Sequence, residues 1–299
     1  MLAISIRSGW LRYAHADIVD QAIVLNSLKA TKLSKEFHRP DMRSVDLSVI
    51  LGVILQEALN ACPDYEKEVF LSLDERWIDC QILPVDKQLK AEEQEAYIKW
   101  FMERRLGSLW PSSSLFFSQV ESNASEQNWV VTSVIAKNAL NLLKSFLEKA
   151  GKKPVWLEPS TLSLARVVST EGPGVSFFKD HRSVRALFFY GGSLRAFGQP
   201  QIRDGEMSLG AITGDKDLAV SITRMVNALQ PRSKMSSIDI RTVGELPGKW
   251  HDYVSLRKRH LEKINPISGF KKSRRIRLKK ETDDSDFSEV AGLLLRRLP

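Results

Sequence analysis

The stretch that decides the fold is KNALNLLKSFLEKAGKKPVWLEPSTLSLARVV, residues 137–168. Residues 137–150 carry an apolar side chain at every third or fourth position, which predicts an amphipathic helix that ends at Gly151. Residues 155–157 then predict a strand, and residues 162–168 predict a second, shorter helix. Because a helix, a strand and a helix follow one another without long loops, this stretch indicates an α/β protein.

Similar patterns extend in both directions from this stretch. The linker signal Gly-Pro-Gly-Val at residues 172–175 suggests a domain boundary. The Ser-rich residues 110–126 predict a loop, with an edge strand as the alternative for part of it. Further strands are predicted from residue 2 to a turn at Ser8–Gly9 and at 10–14, 21–28, 68–73, 77–83, 129–135, 184–190, 194–197 and 238–243, and further helices at 44–62, 92–106, 217–229, 250–262 and 288–298.

The composition is that of a globular protein. Of 299 residues, 43% are hydrophobic and 27% charged, which excludes disordered and fibrous classes. No apolar run approaches the roughly 20 residues that span a bilayer, and the N-terminal segment turns polar too soon for a secretory signal. We therefore expect a cytosolic chain. Cys62 and Cys80 have no metal-type spacing and are predicted to be reduced thiols, not a disulfide or zinc site.

The net charge of +8 comes from one segment of the chain. Residues 253–280 contain eleven Lys or Arg and one acid, so the remainder is slightly acidic. This segment could be a solvated face, pair with acidic residues 281–286, or attract an anionic inner leaflet, an acidic protein or nucleic acid. Nucleic acid is the least favoured because the segment has almost no aromatic side chains for stacking. The candidate residues for an anionic partner are Lys271, Lys272, Arg274, Arg275 and Arg277.

Motifs for catalysis are missing from the sequence. There is no phosphate loop of the G-x-x-x-x-G-K-[ST] type, no G-x-G-x-x-G, no H-E-x-x-H and no G-x-S-x-G. The histidines are scattered, which favours surface or core roles over metal ligation; they are His15, His38, His181, His251 and His260. We therefore predict no catalytic residue and no metal site.

The order of segments resembles the PilM family, the actin-like proteins of type IV pilus assembly, and is also similar to the cytoplasmic domain of GspL and to MshI. Residues 137–168 resemble the family's central helix, Gly turn, strand and helix. Residues 69–109, VFLSLDERWIDCQILPVDKQLKAEEQEAYIKWFMERRLGSL, resemble its strand pair, spacer and helix. Residues 217–229 with 236–254 resemble the helix, strand and Gly turn of its second lobe, and SEVAGLLLRRLP at 288–299 its closing helix.

The resemblance implies an α/β, actin-like fold of the FtsA/PilM type, with two lobes and an insert in the first. It implies a first lobe at 1–182 with the insert at about 77–156, a second lobe at 183–287, and a terminal helix at 288–299 that returns to the first lobe. In the family, ATP with Mg²⁺ binds between the lobes, held by two Gly-containing turns that carry an Asp and by a Gly pair near the adenosine. A cytoplasmic peptide of the inner-membrane protein PilN docks in a groove beside the insert.

The sequence departs from the family at the first phosphate turn. Where the family has Asp, a hydrophobic residue and Gly, this chain has Ser5, Ile6 and Arg7, followed by Ser8 and Gly9. Ser5 cannot supply the carboxylate charge, and Arg7 puts a bulky side chain where backbone must approach phosphate. Arg7 could act as a built-in cation, but the simpler interpretation is that the metal site is lost.

The other two nucleotide positions are also altered. The resemblance places the second turn near Gly191 and Gly192, which have no Asp beside them, and Gly244 is followed by Glu245 in place of a second Gly. We therefore expect a degenerate nucleotide site. The predicted function is a cytoplasmic scaffold, peripheral to the inner membrane, that binds a PilN-like tail and has the assembly ATPase as a further candidate partner. The alternatives are an active ATP-binding ATPase of the same fold and a basic membrane-surface or nucleic-acid binder acting through residues 253–280.

Overall fold

The computed structural model describes residues 1–7, 9–33, 52, 55–60, 62–120, 127–180, 183–229, 238–257, 261–273, 276 and 283–296. The strands are β1 (Leu2–Arg7), β2 (Trp10–Val19), β3 (Ala22–Lys32), β4 (Glu68–Leu73), β5 (Ile78–Asp86), β6 (Ser113–Val120), β7 (Gln127–Ala136), β8 (Lys153–Pro159), β9 (Gly174–Asp180), β10 (Ser183–Tyr190), β11 (Ser193–Gly198), β12 (Gln201–Arg203), β13 (Glu206–Ser208), β14 (Ile212–Gly214), β15 (Asp239–Val243), β16 (Leu261–Ile264) and β17 (Lys271–Lys272). The helices are α1 (Ala91–Leu106), α2 (Lys137–Lys149), α3 (Ser160–Val168), α4 (Lys216–Ala228), α5 (Lys249–Ser255) and α6 (Ser288–Leu295), and 3₁₀ turns cover Gly107–Ser112 and Asp284–Phe287.

The first lobe is built on a six-stranded sheet in the order β17-β3-β2-β1-β4-β8. The strands β1, β2 and β3 are antiparallel, whereas β4 pairs parallel with β1, and β8 parallel with β4. Alternation in β1 sends Leu2, Ile4 and Ile6 to the face that α2 and residues 55–60 cover. Ala3 points to the opposite face, where α6 packs. Both faces of β1 are therefore buried, and four of its six residues are apolar.

The second lobe repeats this arrangement. Its sheet has the order β14-β11-β10-β9-β15-β16, in which β11, β10 and β9 are antiparallel and β15 and β16 continue in parallel. These five strands match β3, β2, β1, β4 and β8 of the first lobe in order and direction. Helices α4 and α5 cover one face through a core that includes Phe177, Phe188 and Ile222. The strand ends that face the other lobe are consequently equivalent in the two halves.

The insert is a three-stranded antiparallel sheet, β5-β7-β6, with α1 on one face. Leu83, Ile98, Met102 and Val130 form its small core under α1. The other face contacts the second lobe, where the Arg195 guanidinium lies 4.7 Å from the centre of the Trp129 ring. The insert therefore bridges the two lobes, although the chain enters and leaves it from the first.

The sheet topology differs from the predicted boundaries in three places. The insert ends at Ala136, not near residue 156, because α2 packs on the first sheet and β8 joins it. The second sheet begins with β9 at Gly174, one strand before residue 183. The chain is back in the first sheet at β17, before the terminal helix. Helix α6 contacts α3 and the strands β1, β2 and β4 of the first lobe.

Two predicted helices also differ from the structure. The basic helix predicted at 250–262 is divided into α5 and the strand β16, because β16 pairs with β15 at the edge of the second sheet. Of the helix predicted at 44–62, residues 52 and 55–60 are helical and most of the others lie outside the described residues. Among the described helices, none is both long and apolar enough to cross a membrane. The thiols of Cys62 and Cys80 are buried and free, as predicted.

Candidate functional site

A cavity of about 550 Å³ lies between the lobes, where the equivalent strand ends meet. Its wall comes from the turn after β1, the start of β2, the ends of β9 and β15, and the segment that leads into α6. The lining residues that the following paragraphs use are Arg7, Gly9, Arg12, Lys32, Phe178, Lys179, Gly244, Glu245, Asp283, Ser285, Asp286 and Glu289.

Arg7 occupies the position where the family resemblance places the approach of backbone to phosphate. It is only 7% exposed. Its guanidinium donates to the carboxylate of Glu289, on the first turn of α6, and to the carbonyl oxygen of Lys179 at 2.8 Å. Because Lys179 belongs to the second lobe, a single side chain ties β1, α6 and β9 together. The positive charge of Arg7 is therefore already paired with acceptors of the protein itself.

Arg12 extends this network along β2. Its guanidinium lies 3.6 Å from the carboxylate of Asp286 and donates to the carbonyl oxygen of Arg7 at 3.4 Å. Burial lowers the pKa of Arg12, while the charges of Glu289 and Asp286 oppose that shift. Two buried guanidinium groups are thus held beside each other by carboxylates from the segment that leads into α6 and from its first turn.

The charges that line the cavity cancel. Four of its lining residues are basic and four acidic. The basic residues are Arg7, Arg12, Lys32 and Lys179, and the acidic ones are Glu245, Asp283, Asp286 and Glu289. A cavity built for a polyanion carries an excess of positive charge or a bound cation. Here the carboxylates neutralise the basic side chains within the wall itself.

Of the predicted positions, Arg7, Gly9 and Gly244 line this cavity. Gly9 and Gly244 have φ angles of 72° and 71°, the left-handed region that favours glycine. Ser5 does not reach it: its side chain is fully buried within β1, and its hydroxyl has no hydrogen-bond partner in the described part of the chain. Ser8 lies outside the described residues.

The placement of the second turn at Gly191 and Gly192 is wrong. These residues follow β10 at the end that pairs with Gly174, away from the cavity. The equivalent of the first turn is the connection from β9 to β10, where Asp180 pairs with Ser183, next to the cavity-lining Phe178 and Lys179. The Gly-Gly hairpin signal is strong, whereas the linker signal at residues 172–175 overlaps the start of β9 and hides this strand.

The part of the cavity beside Gly244 is narrowed by the turn at residues 283–285. A Cβ atom at Gly244 would lie 2.6 Å from the hydroxyl oxygen of Ser285. Asp283 accepts from the backbone N–H of Ser285 at 2.9 Å and so fixes this turn. Glu245 is exposed at the mouth of the cavity and has no hydrogen-bond or ion-pair partner among the described residues. Acidic side chains are therefore present in the cleft, although Ser5 stands where the first phosphate turn of the family has an Asp.

The basic candidates lie elsewhere. Lys271 and Lys272 form β17, which pairs in parallel with β3 at the edge of the first sheet, and both are exposed. The ammonium group of Lys272 lies 3.7 Å from the carboxylate of Asp284, so at least one contact of the intramolecular acid–base type exists. The other three predicted residues, Arg274, Arg275 and Arg277, lie outside the described residues.

A second cavity, of about 510 Å³, forms a groove between the insert and the first lobe. The connection from β4 to β5, the C-terminal end of α1 and the end of β7 supply its walls. The carboxylate of Asp79 and the guanidinium of Arg105 pair across it at 3.1 Å. Leu109 adds an apolar side chain that is 40% exposed. Sequence reasoning did not identify these residues, because only the packing of the insert brings them together.

Comparison with known proteins gives structural matches alone. No protein-family model matches the chain, and no curated protein matches its sequence. The solved "PilM-PilN type IV pilus biogenesis complex" contains a chain that superposes with a TM-score of 0.65 at 16% identity, covering 100% of this chain and 98% of that one. The chain has the fold of PilM. The predicted actin-like α/β fold and the predicted resemblance to PilM are thereby confirmed.

Other solved structures match more weakly. The cytoplasmic domain of EpsL, an inner-membrane component of the type II secretion system of Vibrio cholerae, superposes with a TM-score of 0.49 at 9% identity, over 99% of this chain and 94% of that one. A protein of Bacteroides thetaiotaomicron described as having an actin-like ATPase fold superposes with a TM-score of 0.48 at 11% identity, over 98% and 95%.

Proposed function

We propose that this protein is a non-catalytic cytoplasmic scaffold in the inner-membrane platform of a type IV pilus or related secretion system, where it binds the cytosolic segment of a membrane protein. The observation that carries the proposal is the contrast between the two cavities. In the cleft between the lobes, the charged pair of Arg7 and Glu289 is buried, and Arg7 also donates across the cleft to the carbonyl oxygen of Lys179. The charged pair in the groove beside the insert, Asp79 and Arg105, is instead partly exposed. The fold shared with PilM, which was solved in complex with PilN, supports the same conclusion.

The Arg7 network argues against nucleotide as the resident ligand of the cleft. To bind a phosphate group, the Arg7 guanidinium would have to leave Glu289, which is 2% exposed. Removing one partner from a buried pair costs about 3–5 kcal/mol, since the other charge is left without compensation. The carboxylates in the wall would in addition repel the incoming phosphates. Each term opposes nucleotide binding and favours a cleft closed by protein groups.

The groove beside the insert suits a short extended peptide. It combines an apolar contact at Leu109 with the charged pair of Asp79 and Arg105, which a peptide with side chains of either sign can engage. The wall at Glu75 is rigid, because its carboxylate accepts from the backbone N–H of Thr161 at 2.7 Å and pairs with Arg185 at 2.7 Å. A preformed wall limits the entropy lost when a peptide binds.

Peptide binding tests the partner part of the proposal. A labelled synthetic peptide, copied from the cytosolic segment of the inner-membrane protein encoded beside this gene, is titrated with the full chain by fluorescence anisotropy. We expect Leu109→Glu to weaken binding by roughly tenfold or more, the effect of losing an interface anchor. Val220→Glu is the matched control, since Val220 is 37% exposed on α4 of the second lobe. Equal affinity of both variants and the wild type would refute the groove as the site.

Calorimetry with ATP and Mg²⁺ tests the cleft. We expect no saturable heat from the wild type. Tight, Mg²⁺-dependent binding would overturn the nucleotide-free part and support the alternative function, an ATP-binding ATPase of the same fold. The exposed carboxylate of Glu245 and the carboxylate of Asp283 favour that alternative, because they are carboxylates in the cleft that are not paired with Arg7 or Arg12 in the portion of the chain that the structure describes.

We also propose that the basic segment, residues 253–280, attracts the protein to the surface of an anionic membrane. Lys271 and Lys272 are exposed, and each basic residue near an anionic bilayer contributes about 1 kcal/mol. Cosedimentation with vesicles that contain phosphatidylglycerol tests this, with Lys271→Glu/Lys272→Glu compared with Lys144→Glu/Lys149→Glu on α2. Loss of association in the first pair alone supports the proposal. A wider variant neutralises Lys271, Lys272, Arg274, Arg275 and Arg277. If this variant still associates with the vesicles, the proposal is refuted and the basic segment is only a solvent-exposed surface.

A further inference from the structure

A cluster of three metal-binding side chains lies at the end of the β1–β2 pair opposite the cleft. His15 and Asp17 are two residues apart on β2 and therefore share a face. Glu66, just before β4, approaches from the neighbouring element. The Nε2 atom of His15 lies 3.9 Å from a carboxylate oxygen of Asp17 and 3.9 Å from one of Glu66. All three potential ligand atoms lie within 4.8 Å of one another.

The Nε2 atom of His15 is the observation that points to a ligand. It is fully buried and has no hydrogen-bond partner among the described residues. Buried polar side-chain atoms in proteins nearly always have a hydrogen-bond partner or bind an ion or ordered water. This nitrogen faces the two carboxylates at distances too long for hydrogen bonds. A metal ion bound by the three side chains would give the nitrogen its missing partner.

The distances fit a transition metal after a small contraction. Ligand nitrogen and oxygen atoms lie about 2.0–2.2 Å from Zn²⁺, so neighbouring ligand atoms in a tetrahedral site are roughly 3.4 Å apart. The observed separations of 3.9 Å require a modest shift of the side chains. Asp17 is half exposed, and the bond from Asn26 at 2.7 Å engages its second oxygen and leaves the oxygen near His15 available to a metal ion.

Glu66 in this cluster already contacts two ammonium groups. The amino-terminal ammonium group of Met1 contacts the Glu66 carboxylate and donates to the carbonyl oxygen of Ala16 at 2.7 Å. The ammonium group of Lys152 donates to the carbonyl oxygen of Glu66 at 2.6 Å. A metal ion bound here therefore shares or replaces one cation at Glu66, and does not introduce charge into an apolar site.

We propose that His15, Asp17 and Glu66 bind a divalent transition-metal ion of the Zn²⁺ class, with the remaining coordination positions taken by water. The imidazole ligand favours Zn²⁺ and its neighbours over Mg²⁺ and Ca²⁺, which prefer oxygen alone. The ion joins β2 to the segment before β4 and acts as a structural cross-link. This site is separate from both cavities, so a test of metal binding is independent of the proposed function.

Metal binding to the full chain tests the proposal. The chelator-treated protein is titrated with Zn²⁺ by calorimetry, and with Co²⁺ by visible absorption, which reports the ligand set. We expect Zn²⁺ to bind the wild type and to raise its melting temperature. We expect His15→Gln to weaken binding by roughly tenfold or more, and His251→Gln, which alters an exposed histidine of α5, to leave it unchanged.

A second variant covers the case in which His15→Gln does not fold. Asp17→Asn changes a half-exposed side chain and keeps its size, so the fold should survive. Reduced Zn²⁺ affinity and a smaller rise in melting temperature in Asp17→Asn support the site. The proposal is overturned if the wild type shows no saturable Zn²⁺ binding, or if Asp17→Asn binds Zn²⁺ as tightly as the wild type.

Discussion

Replacing Glu289 with Gln is expected to destabilise the protein by about 3 kcal/mol. The carboxylate of Glu289 is buried and accepts from the guanidinium of Arg7. Breaking one side of a buried ion pair costs about 3–5 kcal/mol because the other charge stays desolvated. We place the effect at the lower end of that range, since Arg7 keeps its bond to the Lys179 carbonyl oxygen and the Gln side chain still offers an acceptor.

The measurement is urea unfolding followed by far-UV circular dichroism, with free energies taken by linear extrapolation. Glu95→Gln is the matched control, because Glu95 pairs with Lys99 on the surface of α1 and both side chains are about half exposed. Such a pair contributes about 0.3–0.5 kcal/mol. A double-mutant cycle with Arg7→Met then isolates the coupling between Arg7 and Glu289.

A loss of stability in Glu289→Gln no larger than that in Glu95→Gln would contradict this prediction. That result would mean that Arg7 is solvated in solution and that the cleft is open. A large loss in Glu289→Gln combined with negligible coupling to Arg7 would point instead to packing of α6 as the source of the effect.

Two further predictions concern backbone packing and a buried phenol. Gly292→Ala should lower the free energy of unfolding in urea by about 1–3 kcal/mol or more, because its Cβ would lie 1.8 Å from the Ser163 carbonyl oxygen. Gly269→Ala, which has open space around it, should change the free energy of unfolding by no more than about 0.5 kcal/mol. Burial raises the pKa of Tyr253 to about 12, so stability should be constant below pH 10 and fall by about 3 kcal/mol between pH 10 and 12. A Tyr253→Phe variant that loses as much stability over this range would contradict that assignment.

Local patterns predicted the elements whose burial is one-sided or whose ends are marked. Helix α2 was predicted to within one residue because its apolar face and Gly151 are both visible in the sequence. Strand β9 was missed because both of its faces are buried, with Phe177 and Phe178 in sequence, and because the turn signal Gly172-Pro-Gly runs into its first residue. A strand buried on both faces shows no alternation for sequence reasoning to detect.

The site was harder to predict because its partners are distant in sequence. Loss of the acidic residue near Ser5 and the unusual presence of Arg7 were visible in the sequence. The acceptor for Arg7 was not, since Glu289 lies 282 positions away and only the return of α6 to the first lobe brings it close. The cluster at His15 was likewise missed, because its third member, Glu66, comes from another element.

The return of the chain to the first lobe has a consequence during synthesis. The apolar face of β1 and β2 that carries Ala3 and Ala14 is covered by Phe287 and Val290, which leave the ribosome only after the second lobe has been made. Until then that face lacks the cover of α6, and an exposed apolar sheet in a nascent chain is prone to aggregation. The second lobe, from Gly174 to Ile264, is complete earlier. The first lobe therefore closes after the second, although its first strands are made earlier.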